Sequence, residues 1–348
     1  MERKEILPSI MDINEKRRKN PLKITFFDAK AYERDWFGPM AKDFGYDIDF
    51  YESRFTPETA YLAKGSEAVC LFVTDKVDEA AAKALEEVGV KVILLRSAGF
   101  DHVDLAACAG RLTVLRVPSY SPEAIAEFGA ALLLTLARRV HRAYLRTRSF
   151  DFRLNHLMGV TLRGKTAGII GTGRIGKLMI EILQGLGMKI LAYDMFPDQK
   201  LEVEYVPLET LFAQSDVISL HCPLTPETKY MIDEKAIDQM KDGVILVNTS
   251  RGGLVDTKAL IEGVRKGKFG GVALDVYERE DDVFFEDHSG EIMQDEDMVQ
   301  LLSFPNVVIT SHQAYFTDDA MEAIARTTLE NLREYEQGLP LSNEVKAQ

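Results

Sequence analysis

The sequence predicts an α/β protein built as two doubly wound parallel-sheet domains. Three observations carry that expectation. From residue 23 onward short apolar runs alternate with helical stretches, the pattern of parallel strands joined by crossover helices. Pro118 ends this first series, and a second alternating series starts at Thr166. At its head the strand Thr166-Ala167-Gly168-Ile169-Ile170 runs straight into Gly171-Thr172-Gly173-Arg174-Ile175-Gly176 and then a helix, and the next strand ends on Asp194. A glycine turn in that setting is the dinucleotide-binding fingerprint.

The elements follow in order. Residues 1–22 carry Glu, Lys and Arg throughout and no apolar stretch, so they read as a solvated extension and not as a secretory signal. Its Lys16-Arg17-Arg18-Lys19 cluster is a tail before it is a contact for an acidic partner. Strands are expected at 23–27, 47–51, 68–73, 91–96 and 113–117, with helices over 31–44 and 78–88. Pro122 fits the first turn of a long helix running to about Ser149, with Ser121 as its N-cap. Its stripe of Ile125, Leu132, Leu133 and Leu136 reads as core or subunit interface. The second series has strands at 166–170, 189–193, 216–220, 244–248, 272–275 and 307–310, and an amphipathic helix at 318–337 closes the chain.

Gly171 permits the tight turn, Gly173 lets a pyrophosphate approach the backbone, and Gly176 lets helix and strand pack closely. The helix N-terminus offers free N–H groups to the phosphates. Asp194 can accept hydrogen bonds from a ribose diol and would repel a 2′-phosphate, and Met195-Phe196-Pro197 holds no arginine to bind one, so NAD is expected over NADP. The glycines alone would also suit a flavin or S-adenosylmethionine. A net charge of −13 argues against nucleic acid as a partner. The most apolar helix core, 130–137, falls far short of the ~20 residues that span a bilayer, so no membrane partner is expected. Cys70, Cys108 and Cys222 are widely spaced, which reads as reduced thiols of a cytoplasmic protein.

Ligands of doubly wound sheets bind beyond the C-terminal strand ends. Three side chains stand there: Arg251 after 244–248, Glu280 five positions after Asp275, and His312 after 307–310. A guanidinium fork holds a carboxylate, an imidazole gives or takes a proton near neutrality, and a neighbouring carboxylate favours imidazolium. Taken singly each has a plainer explanation. Arg251 can pair with Asp256, and Glu280 sits among Glu278, Asp281 and Asp282 in what looks like a solvated acidic loop. His221 ends a strand on the same side and rivals His312 almost evenly. His102, His141, His156 and His288 read as surface or packing residues, and Cys222 as a small wall residue before a nucleophile. The acids from Asp281 to Asp297 lack the spacing of a calcium loop, and no metal is expected.

From Lys23 onward the chain resembles the D-2-hydroxyacid dehydrogenases, and among them the fermentative NAD-dependent D-lactate dehydrogenases. The resemblance rests on Arg96-Ser97-Ala98-Gly99-Phe100-Asp101, Val117-Pro118-Ser119-Tyr120-Ser121-Pro122, the 168–176 turn, His221-Cys222-Pro223-Leu224-Thr225-Pro226, Asn248-Thr249-Ser250-Arg251-Gly252, Asp275-Val276-Tyr277-Glu278 and Ser311-His312-Gln313-Ala314-Tyr315, with Phe284-Phe285-Glu286-Asp287 pointing to the lactate enzymes. It implies a flavodoxin-like substrate domain (23–121 with 318–348), a Rossmann NAD-binding domain (122–317) and a cleft between them that closes on both ligands. It implies that Arg251 binds substrate carboxylate and keto oxygen, that His312 donates the proton with help from Glu280, and that amides near Ala98 and Gly99 complete the carboxylate site. Tyr120 and Tyr315 would shape the pocket. His221, Cys222 and Pro223, with Thr249 and Ser250, would line the cofactor wall, and Asp275 would lie near the nicotinamide amide. The implied reaction is reversible reduction of pyruvate to D-lactate by a homodimer or homotetramer. A bulkier 2-keto acid such as phenylpyruvate or 2-ketoisocaproate, and a non-catalytic NAD(H)-sensing role on the same scaffold, remain as alternatives.

Overall fold

The computed structural model describes residues 21–280 and 283–347. The expected extension thus lies outside the described residues except for Pro21 and Leu22, and Leu22 already belongs to the first strand. Asp281 and Asp282 also lie outside them. The chain divides into two units, one holding the described residues up to Tyr120 and those from Asp318, the other Ser121–Thr317.

The first unit runs β1 (Leu22–Phe26), α1 (Ala31–Phe44), β2 (Tyr46–Phe50), β3 (Ala68–Leu71), α2 (Glu79–Val88), β4 (Val92–Leu95), α3 (Leu105–Cys108) and β5 (Thr113–Leu115), and takes in the C-terminal helix Asp318–Glu336, which packs on α1. Its five strands are all parallel in the order β2-β1-β3-β4-β5, the flavodoxin-like arrangement. β3 and β4 are buried along their whole length, as strands covered on both faces must be. Asp78 caps α2 by accepting from the Ala81 N–H, which starts the helix at residue 79.

Just past β4 the buried Arg96 braces the strand ends. Its Nε donates to Glu33 Oε1 at 2.6 Å, and its Nη2 donates to the carbonyls of Phe27 at 3.1 Å and Asp28 at 3.0 Å. The guanidinium also lies over the rings of Phe26 and Phe72. One cation therefore ties the ends of β1 and β4 to the first turn of α1. The loop it precedes is held by Ser97 Oγ donating to the Gly99 carbonyl at 2.8 Å and Arg116 Nη1 donating to the Ala98 carbonyl at 2.9 Å.

The second unit runs α4 (Pro122–Ala137), α5 (Val140–Arg148), β6 (Thr166–Ile170), α6 (Arg174–Gly185), β7 (Lys189–Tyr193), β8 (Glu204–Tyr205), α7 (Leu208–Gln214), β9 (Val217–Leu220), α8 (Glu234–Gln239), β10 (Val244–Asn248), α9 (Thr257–Arg265), β11 (Phe269–Leu274), α10 (Glu296–Ser303) and β12 (Val307–Ile309). Its seven parallel strands lie in the order β12-β11-β10-β9-β6-β7-β8, with an apolar core on each face. Ser121 caps α4 through the Ala124 N–H with Pro122 in the first turn, as expected. The expected single helix to Ser149 is instead two. Arg139 turns left-handed at φ 56°, and the Val160 N–H takes the Ala137 carbonyl at 2.8 Å, which a continuing helix would have used itself. Leu132, Leu133 and Leu136 are core, while Ile125 is half-buried. No helix among the described residues is long and apolar enough to cross a membrane.

Arg96→Met would strand the Glu33 carboxylate in the interior and lower stability by about 3–5 kcal/mol, as removal of one partner of a buried pair does. The urea midpoint of the first unit's transition should fall accordingly, and Arg96→Met with Glu33→Leu should recover most of it.

Candidate active site

All strands of the second sheet run parallel, so all their C-terminal ends open on one edge. β6 lies between β9 and β7, so crossovers leave it toward opposite sides, and loops diverge at such a switch point to leave a crevice. The glycine turn sits there. Gly171 has φ 94°, and a Cβ on it would stand 2.6 Å from the carbonyl atoms of His221; only glycine satisfies both constraints. A Cβ on Gly176 would fall 2.0 Å from the Gly171 oxygen, whereas one on Gly173 would meet nothing within 4 Å. The open side of Gly173 is thus where a ligand can approach. Gly173 caps α6 without a side chain, so the amides of the first turn, at Arg174 and Ile175, are left for an anion at the positive end of the helix dipole.

Asp194, at the end of β7, holds this turn. Its Oδ2 accepts from Thr172 N at 2.6 Å and Thr172 Oγ1 at 2.9 Å, and its Oδ1 from Phe196 N at 2.9 Å. Partial burial opposes its charge, yet the bonds from Phe196 and Thr172 outweigh burial and hold its pKa below the ordinary value. After β9, His221 shares a 2.9 Å hydrogen bond with Ser219 Oγ, and burial pulls its pKa down to about 4, so it is neutral near pH 7. Burial pushes the Cys222 thiol up to about 11, which removes it as a nucleophile. Ser250 Oγ donates to the Cys222 carbonyl at 2.6 Å, tying the Cys222-Pro223 segment to the loop after β10. Thr249 is buried beside them, and its Oγ1 has no hydrogen-bond partner.

The ends of β10, β11 and β12 are locked together. Asn248 Nδ2 donates to the Arg251 carbonyl at 2.8 Å while its Oδ1 accepts from Ser250 N at 3.0 Å, and Asp275 N donates to the Asn248 carbonyl at 2.9 Å. The Asp275 side chain is fully buried. Its Oδ1 accepts from Thr310 Oγ1 at 2.6 Å and Gln313 N at 3.0 Å, and its Oδ2 from Ala314 N at 2.8 Å. Burial raises its pKa despite those bonds. His312 N also donates to the Asp275 carbonyl at 2.7 Å, and His312 itself sits at φ 52°. A non-glycine residue in that region is held there by its surroundings.

His312 Nδ1 lies 2.9 Å from Glu280 Oε1, and Glu280 Oε2 accepts from Tyr277 N at 2.9 Å. Burial disfavours the imidazolium, but the Glu280 hydrogen bond and charge, with Asp275 behind them, overcome both burial and the repulsion of Arg251, so the His312 pKa is raised above 6.5. The two histidines that the sequence left nearly even are therefore opposites. Glu280 is bound at both oxygens and is not a solvated loop acid. Phe284 is buried, and the Phe285 ring lies 6.2 Å from that of His312, so this loop covers the imidazole. Arg251 Nη1 donates to the Ser250 carbonyl at 2.8 Å, while Asp256 caps α9 through the N–H groups of Lys258 and Ala259 instead of serving as the partner weighed for Arg251. A Cβ on Gly252 would stand 2.0 Å from the Tyr277 carbonyl carbon, so the Arg251 loop rests directly on the turn that carries Glu280. Tyr315 follows on the same loop as His312, beside Phe316. Ala98, Gly99 and Tyr120 belong to the first unit, all half-buried. Sequence reasoning did not single out Thr310, Asn248 or Tyr277 as supports: the Thr310 bond reaches 35 residues back to Asp275, while Asn248 and Tyr277 bond within two or three residues in turns whose conformation the sequence does not display.

Residues 130–314 match the family described as D-isomer specific 2-hydroxyacid dehydrogenase, NAD binding domain. The chain is 48% identical over 319 residues to 2-hydroxyacid dehydrogenase homolog 1 of Schizosaccharomyces pombe, an alignment spanning 90% of this chain and 96% of that one. It is 47% identical over 328 residues to the D-lactate dehydrogenase of Escherichia coli, spanning 93% of this chain and 100% of that one. Among solved structures, that of the pyruvate reductase of Chlamydomonas reinhardtii superposes with a TM-score of 0.88 at 41% identity, covering 93% of this chain and 98% of that one.

In Glu280→Gln the carboxylate that raises the His312 pKa is gone while burial remains. NMR titration of the His312 ring should then place its pKa below 6.5, against a value above 6.5 in the parent protein.

Proposed function

The chain belongs to the D-isomer specific 2-hydroxyacid dehydrogenases, and on that premise we propose that it is an NAD-dependent D-lactate dehydrogenase that reversibly reduces pyruvate. The observation that carries the reading is the His312–Glu280 pair at 2.9 Å, on the same sheet edge as Arg251 and the glycine turn. A binding protein has no need of a largely buried imidazole whose protonated form is favoured by a hydrogen-bonded carboxylate.

The residues present fit the cofactor. The uncapped first turn of α6 and the open side of Gly173 suit a pyrophosphate. Thr172 and Asp194 suit the adenosine ribose, and the unpartnered Thr249 hydroxyl offers a polar contact on the wall. His221, Cys222, Pro223 and Ser250 line that wall, and Asp275 is proposed to face the nicotinamide amide. When bound, NADH supplies the hydride. The chain supplies the rest. Arg251 grips the substrate carboxylate and polarises the keto oxygen. His312, with Nδ1 turned to Glu280, gives its Nε2 proton to that oxygen as charge grows on it. The amides near Ala98 and Gly99 are proposed to complete carboxylate binding, with Tyr120 and Tyr315 bounding the methyl group. In the reverse direction the neutral imidazole takes the hydroxyl proton, so reduction fails as pH rises through the His312 pKa and oxidation gains there.

We also propose a homo-oligomer. Along the segment after α4, Leu145 is 65% exposed, Phe150 85%, Phe152 70%, Leu154 80% and Met158 89%. So many large apolar side chains in one exposed stretch mark an interaction surface, and a second copy of this chain is the proposed occupant.

Arg251→Gln should lower kcat/KM for pyruvate by about 100-fold or more through lost anchoring and charge stabilisation. NADH oxidation with pyruvate, phenylpyruvate, glyoxylate, oxaloacetate and 2-ketoglutarate, followed by product chirality, tests the reaction itself. Turnover of pyruvate to D-lactate is expected, and tight NADH binding with no turnover on any acid would refute it. Phe152→Asp with Leu154→Asp should move the sedimentation profile toward monomer.

A further inference from the structure

Between Glu280 and α10 the chain makes an excursion that places Phe284 in the core and lays Phe285 beside His312. Both ends of that excursion meet at one guanidinium. Arg279 Nη2 donates to Tyr277 Oη at 2.7 Å, to Asp295 Oδ1 at 2.7 Å and to Asp297 Oδ2 at 2.8 Å. Tyr277 Oη in turn donates to Asp295 Oδ2 at 2.8 Å, and Asp295 is the N-cap of α10 through Met298 N. The next residue back is tied elsewhere: Glu278 accepts from the hydroxyls of Tyr230 and Thr257. Tyr277 thus carries two jobs at once. Its side chain is in the Arg279 clamp, and its N–H holds Glu280 Oε2.

We propose that Arg279 is a positioning residue for the reduction, closing the neck of the 280–295 loop so that Glu280 stays seated between Tyr277 N and His312 Nδ1. The inference rests on the reading of His312 as proton donor given above. The clamp gathers two carboxylates and a phenol at one guanidinium edge, where Nη2 makes the three short bonds and Nε reaches Tyr277 Oη at 3.3 Å. Among the described residues its guanidinium bonds to Tyr277, Asp295 and Asp297, and to neither His312 nor the Glu280 carboxylate. Among the described residues, the charged groups that act on His312 are Glu280, Asp275 and Arg251, and those on Arg279 are Tyr277, Asp295 and Asp297.

The sign of one measurement separates positioning from two other roles. Arg279 is half exposed, so Arg279→Gln should fold. Deleting a cation by itself favours protonation of any nearby imidazole and would move the alkaline limit of pyruvate reduction upward. Loosening Glu280 moves it downward. If Arg279 merely fastens α10, melting temperature falls and the limit stays.

The experiment is the pH dependence of kcat/KM for pyruvate in the parent protein, Arg279→Gln, Glu280→Gln and the double variant, with NADH affinity measured alongside. We expect Arg279→Gln to lower the alkaline limit by about half a pH unit, the scale of a partly exposed ion-pair cluster acting through one neighbour. NADH affinity should be unchanged, and Arg279→Gln should add no further shift on top of Glu280→Gln. An unmoved or raised limit in Arg279→Gln, where Glu280→Gln lowers it, overturns the positioning role alone. A limit that Glu280→Gln itself fails to lower overturns the proton-donor reading and this inference with it.

Discussion

The carboxylate of Asp275 is the constraint on which the site depends. A buried carboxylate is costly unless hydrogen bonds replace its water. Here Thr310, Gln313 and Ala314 do so, and all three flank His312 in sequence. The strand register sets up the meeting: Asn248 pairs with Leu274, and Leu274 with Ile309. Three neighbouring strands therefore end level, and Asn248 and Asp275 knit the segments that leave them. Arg251, Glu280 and His312 inherit their places from that knot.

Environment then divides labour among chemically similar groups. His221 and His312 both follow strand ends on one edge. One faces a serine hydroxyl in a dry wall and stays neutral; the other faces a carboxylate and favours charge. Asp194 and Glu280 are likewise both acids at loop starts. Asp194 takes backbone and hydroxyl donors that fasten the glycine turn, while Glu280 spends one oxygen on Tyr277 N and the other on the imidazole. Neither distinction requires any residue type beyond what the sequence displays, only the partner each one meets.

The sequence shows the α/β alternation and the glycine turn plainly because both are local. Strand cores such as 244–248 emerge as read, and α1 likewise, since apolar periodicity and caps lie within a few residues of each other. Strand ends come out shorter than read at β4 and β12, where polar residues leave the ladder, and at β3, where the buried Asp75 takes the Phe72 N–H at 2.8 Å. The break at Arg139 was not legible, because the group that claims the Ala137 carbonyl comes from Val160. The register of Glu280 came from family resemblance, and by composition it looked like one more acid of a solvated loop. The contact that seats its turn, Gly252 against Tyr277, joins residues too far apart for spacing to reveal.

Hydrogen exchange at the Gln313 and Ala314 amides tests the central claim most directly, compared between the parent protein and Asp275→Asn with turnover recorded on the same samples. A carboxamide keeps one acceptor oxygen and puts an NH2 where the other stood, so the Gln313 amide or the Ala314 amide must lose its acceptor and its protection, and pyruvate reduction should fall by about 100-fold as the imidazole loses its place. Protected amides and undiminished turnover in Asp275→Asn would contradict the account.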